Sequence, residues 1–322
     1  MLGFSQFTKV LANFLSVIYL LTLVLKTRNK SYTTTLATNW KNTSELKNIL
    51  VNIQVLKPTS EILKKHINNY YIFHQADSKE ITYLTFPNPY SIVSVLNNVE
   101  LRHLPNMMVA EFNCDKSLIS DLTLSYKKPI LIKYKGIIKE ISICFKPLGL
   151  NAFIEHSKEP ISEKDPFFPY PDYKEKMSEI INLTNTDEII LQLESYLLSK
   201  LSNFKHPFLH QFINDVAINS STSIGELSKK YGVSQKTLIK HTKSYLGRTP
   251  SEFIKVVRFY KAMKEYFKDE KRTLSLTEIG YAVSFFDQSH MIKDFKTLTG
   301  FTPRTFFKNL NPTKGELNWI FL

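Results

Sequence analysis

The sequence predicts an α+β chain, a small β-barrel or sandwich followed by an all-α domain of two helix-turn-helix units. Three observations carry this. Gly247-Arg248-Thr249-Pro250-Ser251-Glu252-Phe253-Ile254-Lys255 recurs as Gly300-Phe301-Thr302-Pro303-Arg304-Thr305-Phe306-Phe307-Lys308, an offset of 53 residues. Short β-type runs separated by Pro, Asn and Gly fill the stretch from Ile81 to Phe145. Basic charge is concentrated in the repeat: from Lys205 to Leu310 there are 18 Lys and Arg against 9 Asp and Glu, so that segment holds +9 of the chain's formal +13.

A length of 322 residues suggests two domains. We divide the chain into a hydrophobic segment with a polar linker (1–50), a β-rich domain (51–165), a hinge with an amphipathic helix (166–204), a double helix-turn-helix domain (205–310) and a tail (311–322). The two cysteines, Cys114 and Cys144, have no metal-ligand spacing and read as buried free thiols. No metal and no cofactor is expected: His66, His74, His103 and His156 are scattered, no nucleophile stands beside a base, and 9 glycines in the whole chain leave no phosphate-cradling loop.

The run from Val10 to Leu25 is apolar except for Asn13, Ser16 and Thr22. Its 16 residues fall short of the roughly 20 that span a bilayer. If it spans, Lys26, Arg28 and Lys30 place the remainder inside the cell. A membrane anchor, a buried helix and a start placed too early all stay open. Residues 27–48, rich in Thr, Asn, Ser and Lys, read as a linker. From Glu61 to Phe73 the apolar spacing is helical or mixed. Strand-type runs then follow at 81–86, 91–96, 107–112, 130–134 and 137–145, with a short helix at 151–156. Tyr70, Tyr71, Tyr83 and Phe86 either line a small-molecule pocket or form core. Residues 165–171 read as a hinge. Asp187 begins an amphipathic helix, with Ile190, Leu193, Leu197 and Leu201 on one face, that packs on the barrel or pairs with a second chain. His206 and His210 mark the start of the helical domain.

In each repeat the residues read as helix, tight turn, helix. Ser223 with Glu226, and Ser275 with Glu278, form capping boxes. Gly232 supplies a turn residue with positive φ, Ser234 and Asp287 cap the second helices, and Thr-Pro opens a third helix in each copy. The helix from Pro250 to about Lys268 joins the units. At 1.5 Å per residue it is roughly 28 Å long, of the order of one turn of B-DNA. Its apolar stripe is Phe253, Val256, Val257, Tyr260, Met263 and Phe267, with Lys255, Arg258, Lys261 and Lys264 facing solvent or phosphate.

The stretch Leu227-Ser228-x-x-Tyr231-Gly232-Val233-Ser234-x-x-x-Leu238, then Leu246-Gly247-x-Thr249-Pro250-x-x-Phe253, resembles the DNA-binding domain of AraC/XylS transcription regulators. So does Ile279-Gly280-x-x-Val283-Ser284-Phe285-x-Asp287-Gln288-Ser289-His290-Met291-x-Lys293-x-Phe295-Lys296, then Thr299-Gly300-Phe301-Thr302-Pro303. Ser284 where the family has Gly, Thr242 for a core aromatic and Gly280 for Ala depart from its pattern. Over about 100 residues, Lys57-Pro58, Tyr70-Tyr71, Phe86-Pro87, the strand from Ile92 to Leu96 and Phe145-Lys146-Pro147-x-Gly149 resemble the degenerate cupin-like sensor domain of some AraC-type regulators.

The resemblance implies a cytoplasmic, sequence-specific binder of promoter or operator DNA that reads two successive major grooves. Its further partners would be RNA polymerase, a small-molecule effector, a second copy of the chain and, through the run from Val10 to Leu25, a membrane. The alternatives are a membrane-tethered regulator and a cupin-like enzyme with a basic accessory domain. With Leu238, Met291 and Phe295 turned inward, Gln235, Lys236, Ile239, Lys240 and Lys243 face the groove in copy one, and Gln288, Ser289, Ile292, Lys293 and Lys296 in copy two. Gln suits adenine, Lys suits guanine O6/N7 or phosphate, and Ile suits a thymine methyl.

Overall fold

Residues 53–76, 80–154, 166–268, 275–283, 285, 287–309 and 319–321 are described by the computed structural model. The run from Val10 to Leu25, the linker, His156 and Ser284 lie outside them. Among the described residues no helix is long and apolar enough to cross a membrane.

Among the described residues ten strands form two five-stranded sheets. The first has the order β1 (Ile53–Leu56), β2 (Ile67–Gln75), β9 (Ile138–Phe145), β4 (Ser91–Leu96), β7 (Ile119–Thr123). The second has the order β10 (Trp319–Phe321), β3 (Glu80–Thr85), β8 (Ile130–Lys135), β6 (Met107–Phe112), β5 (Val99–Leu104). Every pairing is antiparallel except β6 with β8. The chain crosses between sheets at Asn98 and at Gly136, both with positive φ. Asn tolerates that conformation and Gly adopts it freely. A Cβ on Gly136 would also lie 2.9 Å from Phe112 Cβ.

Several features depart from the sequence reading. The stretch from Glu61 to Phe73 is a short 3-10 turn at Leu63–Lys65 and then β2. Because β2 lies between β1 and β9 with both faces covered, its apolar residues do not alternate, and the pattern looks helical. Strand β5 escaped notice because it is an edge strand with an exposed end. Strand β7 did so because it buries Ser120 and Asp121. Residues 319–321, in the presumed tail, pair antiparallel with β3. Cys144 is buried as expected, but Cys114 is exposed.

One core lies between the sheets and includes Phe73, Tyr83, Leu96, Ile132 and Tyr134. A second lies where the first sheet meets α1 (Tyr173–Asn182) and α2 (Thr186–Ser199). Helix α2 presents Ile190, Leu193 and Leu197 to this core, as its stripe predicted, and leaves Leu191 and Leu198 exposed. Phe167, Phe168 and Tyr170 of the presumed hinge pack on the same core.

The four candidate pocket aromatics have separate surroundings. Tyr70 donates to Glu194 at 3.4 Å, Tyr83 meets Tyr134 hydroxyl to hydroxyl at 3.1 Å, and Phe86 packs on Phe306. Tyr71 pairs in the ladder between β1 and β9. Burial drives the Tyr83 and Tyr134 hydroxyls well above the usual phenol range.

The helical part follows as α3 (Leu209–Ile218), α4 (Ile224–Lys230), α5 (Gln235–Leu246), α6 (Pro250–Lys268), α7 (Leu276–Ala282), α8 (Gln288–Thr299) and α9 (Pro303–Asn309). Its first core joins Phe208, Leu209, Phe212, Leu227, Leu238 and Phe253 with Leu148 from the end of the β-rich part. Gly149 follows directly on Leu148, and a Cβ there would sit 2.1 Å from the His66 carbonyl oxygen. That contact leaves room for glycine alone, which accounts for Gly149 in the motif that ends the β-rich block.

Candidate nucleic-acid interface

Local chemistry fixes both units. Ser223 accepts from the Glu226 N–H at 3.2 Å, while Glu226 accepts from the Ser223 N–H at 3.0 Å. Ser275 and Glu278 repeat the pattern at 3.2 and 2.7 Å. The Ser223 backbone N–H holds the Glu226 carboxyl below the usual carboxylate range. Gly232 has φ +65° and carries the chain from α4 into α5. Ser234 accepts from the Thr237 N–H at 3.0 Å, and Asp287 from the His290 N–H at 2.7 Å. Gly247 (φ +68°) and Gly300 (φ +79°) end α5 and α8 in the left-handed conformation. Thr249 and Glu252 complete a further capping box at the start of α6.

These caps set which faces of α5 and α8 are free. Leu238, Thr242 and Leu246 of α5 are buried, and so are Met291, Phe295 and Leu298 of α8. On the opposite faces Gln235, Lys236, Ile239, Lys240 and Lys243 are exposed, as are Gln288, Ser289, Lys293 and Lys296; Ile292 is half-buried. Ser289, Ile292, Lys293, Lys296 and Thr297 line one open surface depression along α8. The ten nominated residues thus form two polar, basic stripes, one on the second helix of each unit. Thr242, in the place of a core aromatic, donates its hydroxyl to the Leu238 carbonyl at 2.9 Å. Gly280 has space beside it: a Cβ there would lie 3.5 Å from Met291 Sδ.

Three arrangements were missed. Asp294 of α8 is buried, with Arg258 at 3.0 Å, His290 at 3.4 Å and Lys255 at 3.5 Å. Arg258 also donates to the Ser220 carbonyl at 3.4 Å and lies over the Phe285 ring. Arg258 is therefore no phosphate-facing residue; it ties α6 to α8. Lys261 is half-buried, and burial lowers its pKa. The signal was present: Asp294 follows Met291 by three positions and Arg258 follows Ile254 by four, which puts both charges on apolar faces where each needs a partner.

The second is the histidine pair. His206 Nδ1 accepts from the Leu209 N–H at 3.1 Å, so its Nε2 carries the proton and donates to His241 Nδ1 at 2.9 Å. Burial, then His241, then His210, lowers the His206 pKa to about 4. Burial also lowers the His210 pKa. The third arrangement is buried Arg248, which donates to the Asn88 carbonyl at 3.0 Å and so ties the turn after α5 to the β-rich part.

Residues 227–309 match the family model described as a helix-turn-helix domain. Histidine kinase P4 of Formosa agariphila is 26% identical over 133 residues, 41% of this chain. The match takes in 9% of that curated relative's own length. Among solved structures, ToxT from Vibrio cholerae in a P21 crystal form aligns over 74% of this chain and 97% of its own, at 12% identity and a TM-score of 0.35. Wild-type ToxT with an unsaturated fatty acid bound aligns over 75% and 95%, at 15% identity and a TM-score of 0.33.

Proposed function

We propose that this chain, whose residues 227–309 match a helix-turn-helix domain model, is a sequence-specific transcription regulator of AraC type whose second helices, α5 and α8, read two successive major grooves of one DNA site. The observation that carries this reading is the pairing of two separately capped units with matching stripes: exposed Gln235, Ile239, Lys240 and Lys243 on one, and exposed Gln288, Lys293 and Lys296 with half-buried Ile292 on the other. Their shared offset of 53 residues gives both the same donors and apolar contacts. The +9 charge of the segment supplies the attraction to phosphate.

On this reading the protein acts by binding. Three buried carboxylates of the β-rich part and of α2 are engaged internally: Asp121 meets His103 at 3.0 Å, Glu140 accepts from Tyr134 and Ser142, and Glu194 of α2 accepts from Thr59 and Ser60. The β-rich part is the regulatory domain, and the promoter site brings the protein to RNA polymerase in the cytoplasm. Selection of genomic fragments by the full-length protein, followed by sequencing, tests the proposal. Enrichment of one asymmetric two-part motif upstream of genes is expected; fragments without a shared motif would refute it.

A further inference from the structure

We infer that the loop from Phe86 to Tyr90, between β3 and β4, is the positioning element through which the β-rich part sets the placement of the two reading units relative to each other. This rests on the reading of both units as DNA binders. The loop touches the helical part at three separate points. Phe86, fully buried, packs edge-on against Phe306 of α9 in the second unit, with ring centroids 5.0 Å apart. The Asn88 carbonyl accepts from Arg248 at 3.0 Å, and Arg248 follows directly on the glycine that ends α5 in the first unit. Tyr90 packs edge-on against Tyr260 of the joining helix α6, with centroids 5.3 Å apart. One stretch of five residues thus reaches the first unit, the second unit and the helix between them.

The loop is built to be stiff. Pro87 and Pro89 fix φ at two of its five positions. Asn88 Oδ1 accepts from the Tyr90 N–H at 2.9 Å, closing the turn between them. The loop also crosses from one sheet to the other, because β3 and β4 belong to different sheets. A displacement of one sheet against the other therefore moves it.

Two neighbouring contacts reinforce the attachment. Ser125 donates to the Gly247 carbonyl at 2.9 Å, and β10, which follows the second unit in the chain, pairs with Thr85, Leu84 and Tyr83 just before the loop. None of these contacts uses a residue of the exposed stripes of α5 and α8. The brace fixes the units without covering the faces that would meet DNA.

The test uses the full-length protein and its selected site. Affinity is measured on that site and on versions with one or two base pairs added or removed between its halves, for wild type, Tyr90→Ala, Phe86→Leu and the double variant Pro87→Ala/Pro89→Ala. Thermal melting is followed alongside. We expect the variants to hold the native site nearly as well as wild type, while the penalty for altered spacing shrinks by about fivefold or more, the lower end of ordinary coupling between sites. Half-buried Tyr90 and the exchange of Phe86 for Leu keep the fold testable should the proline variant melt early. An unchanged spacing penalty in every folded variant overturns the inference, as does an affinity change equal at all spacings. Wild-type protein with no affinity for DNA would instead remove the functional reading on which the inference stands.

Discussion

Replacing Asp294 by Ala tests how α8 is held. Asp294 is 2% exposed and Arg258 8%, and their side chains meet at 3.0 Å. The same carboxylate lies 3.5 Å from Lys255 and 3.4 Å from His290. Removing one partner of a buried pair leaves the other charge desolvated and unmatched, at a cost of about 3–5 kcal/mol. Among the described residues Arg258 then keeps its contacts with the Ser220 carbonyl and the Phe285 face, so the loss should lie within that range. A domain of this size has a total stability of about 5–15 kcal/mol. Urea unfolding followed by far-UV circular dichroism should therefore show either an early transition for the second unit or a large fall in midpoint. The double variant Arg258→Met/Asp294→Leu should recover most of the loss, because it removes both fully buried charges and the remaining neighbours, Lys255 and His290, are partly exposed. A loss under about 1 kcal/mol for Asp294→Ala would refute the reasoning, since it would place the pair among exposed bridges.

Gly280→Ala should stabilise the chain by about 0.5–1 kcal/mol, because the added methyl meets Met291 Sδ at an ordinary 3.5 Å and the helix gains a better former; a raised melting temperature checks it. Lys293→Ala should weaken the selected site by about 1–3 kcal/mol while affecting random DNA less, as competition binding would show; equal weakening on both would assign Lys293 to phosphate. Acid should loosen the junction around His206. Its folded pKa of about 4 lies below the ordinary 6.5, so its contribution is fully present above pH 6.5 and is lost as pH falls from 6.5 towards 4. His206→Asn, which keeps an acceptor for the Leu209 N–H and cannot be protonated, should flatten the pH profile of stability measured by denaturant titration.

The helical domain was legible because its signals are local. A serine three residues before a glutamate, a glycine at a helix end and a Thr-Pro pair each specify a turn from neighbouring atoms alone. Helix α6 runs from Pro250 to Lys268 as read, and the capping boxes expected at Ser223 and Ser275 formed. The exposed stripes followed from placing Leu238, Met291 and Phe295 inward. What escaped depends on contacts distant in sequence. Strand β2 looked helical because both its neighbours were unknown. Arg258 looked like a surface cation because Asp294 lies 36 residues away. The role of the loop from Phe86 to Tyr90 required knowing that Phe306, Arg248 and Tyr260 come together around it; its prolines signalled only a break between strands.

The central claim is that both units read DNA together, and inserting five base pairs between the halves of the selected site tests it most directly. Half a helical turn moves one half-site to the opposite face of the duplex. The account predicts that the full-length protein loses most of its affinity for the lengthened site and regains part of it when a full turn is inserted instead. Affinity unchanged by the half-turn insertion would contradict it and leave one unit reading alone.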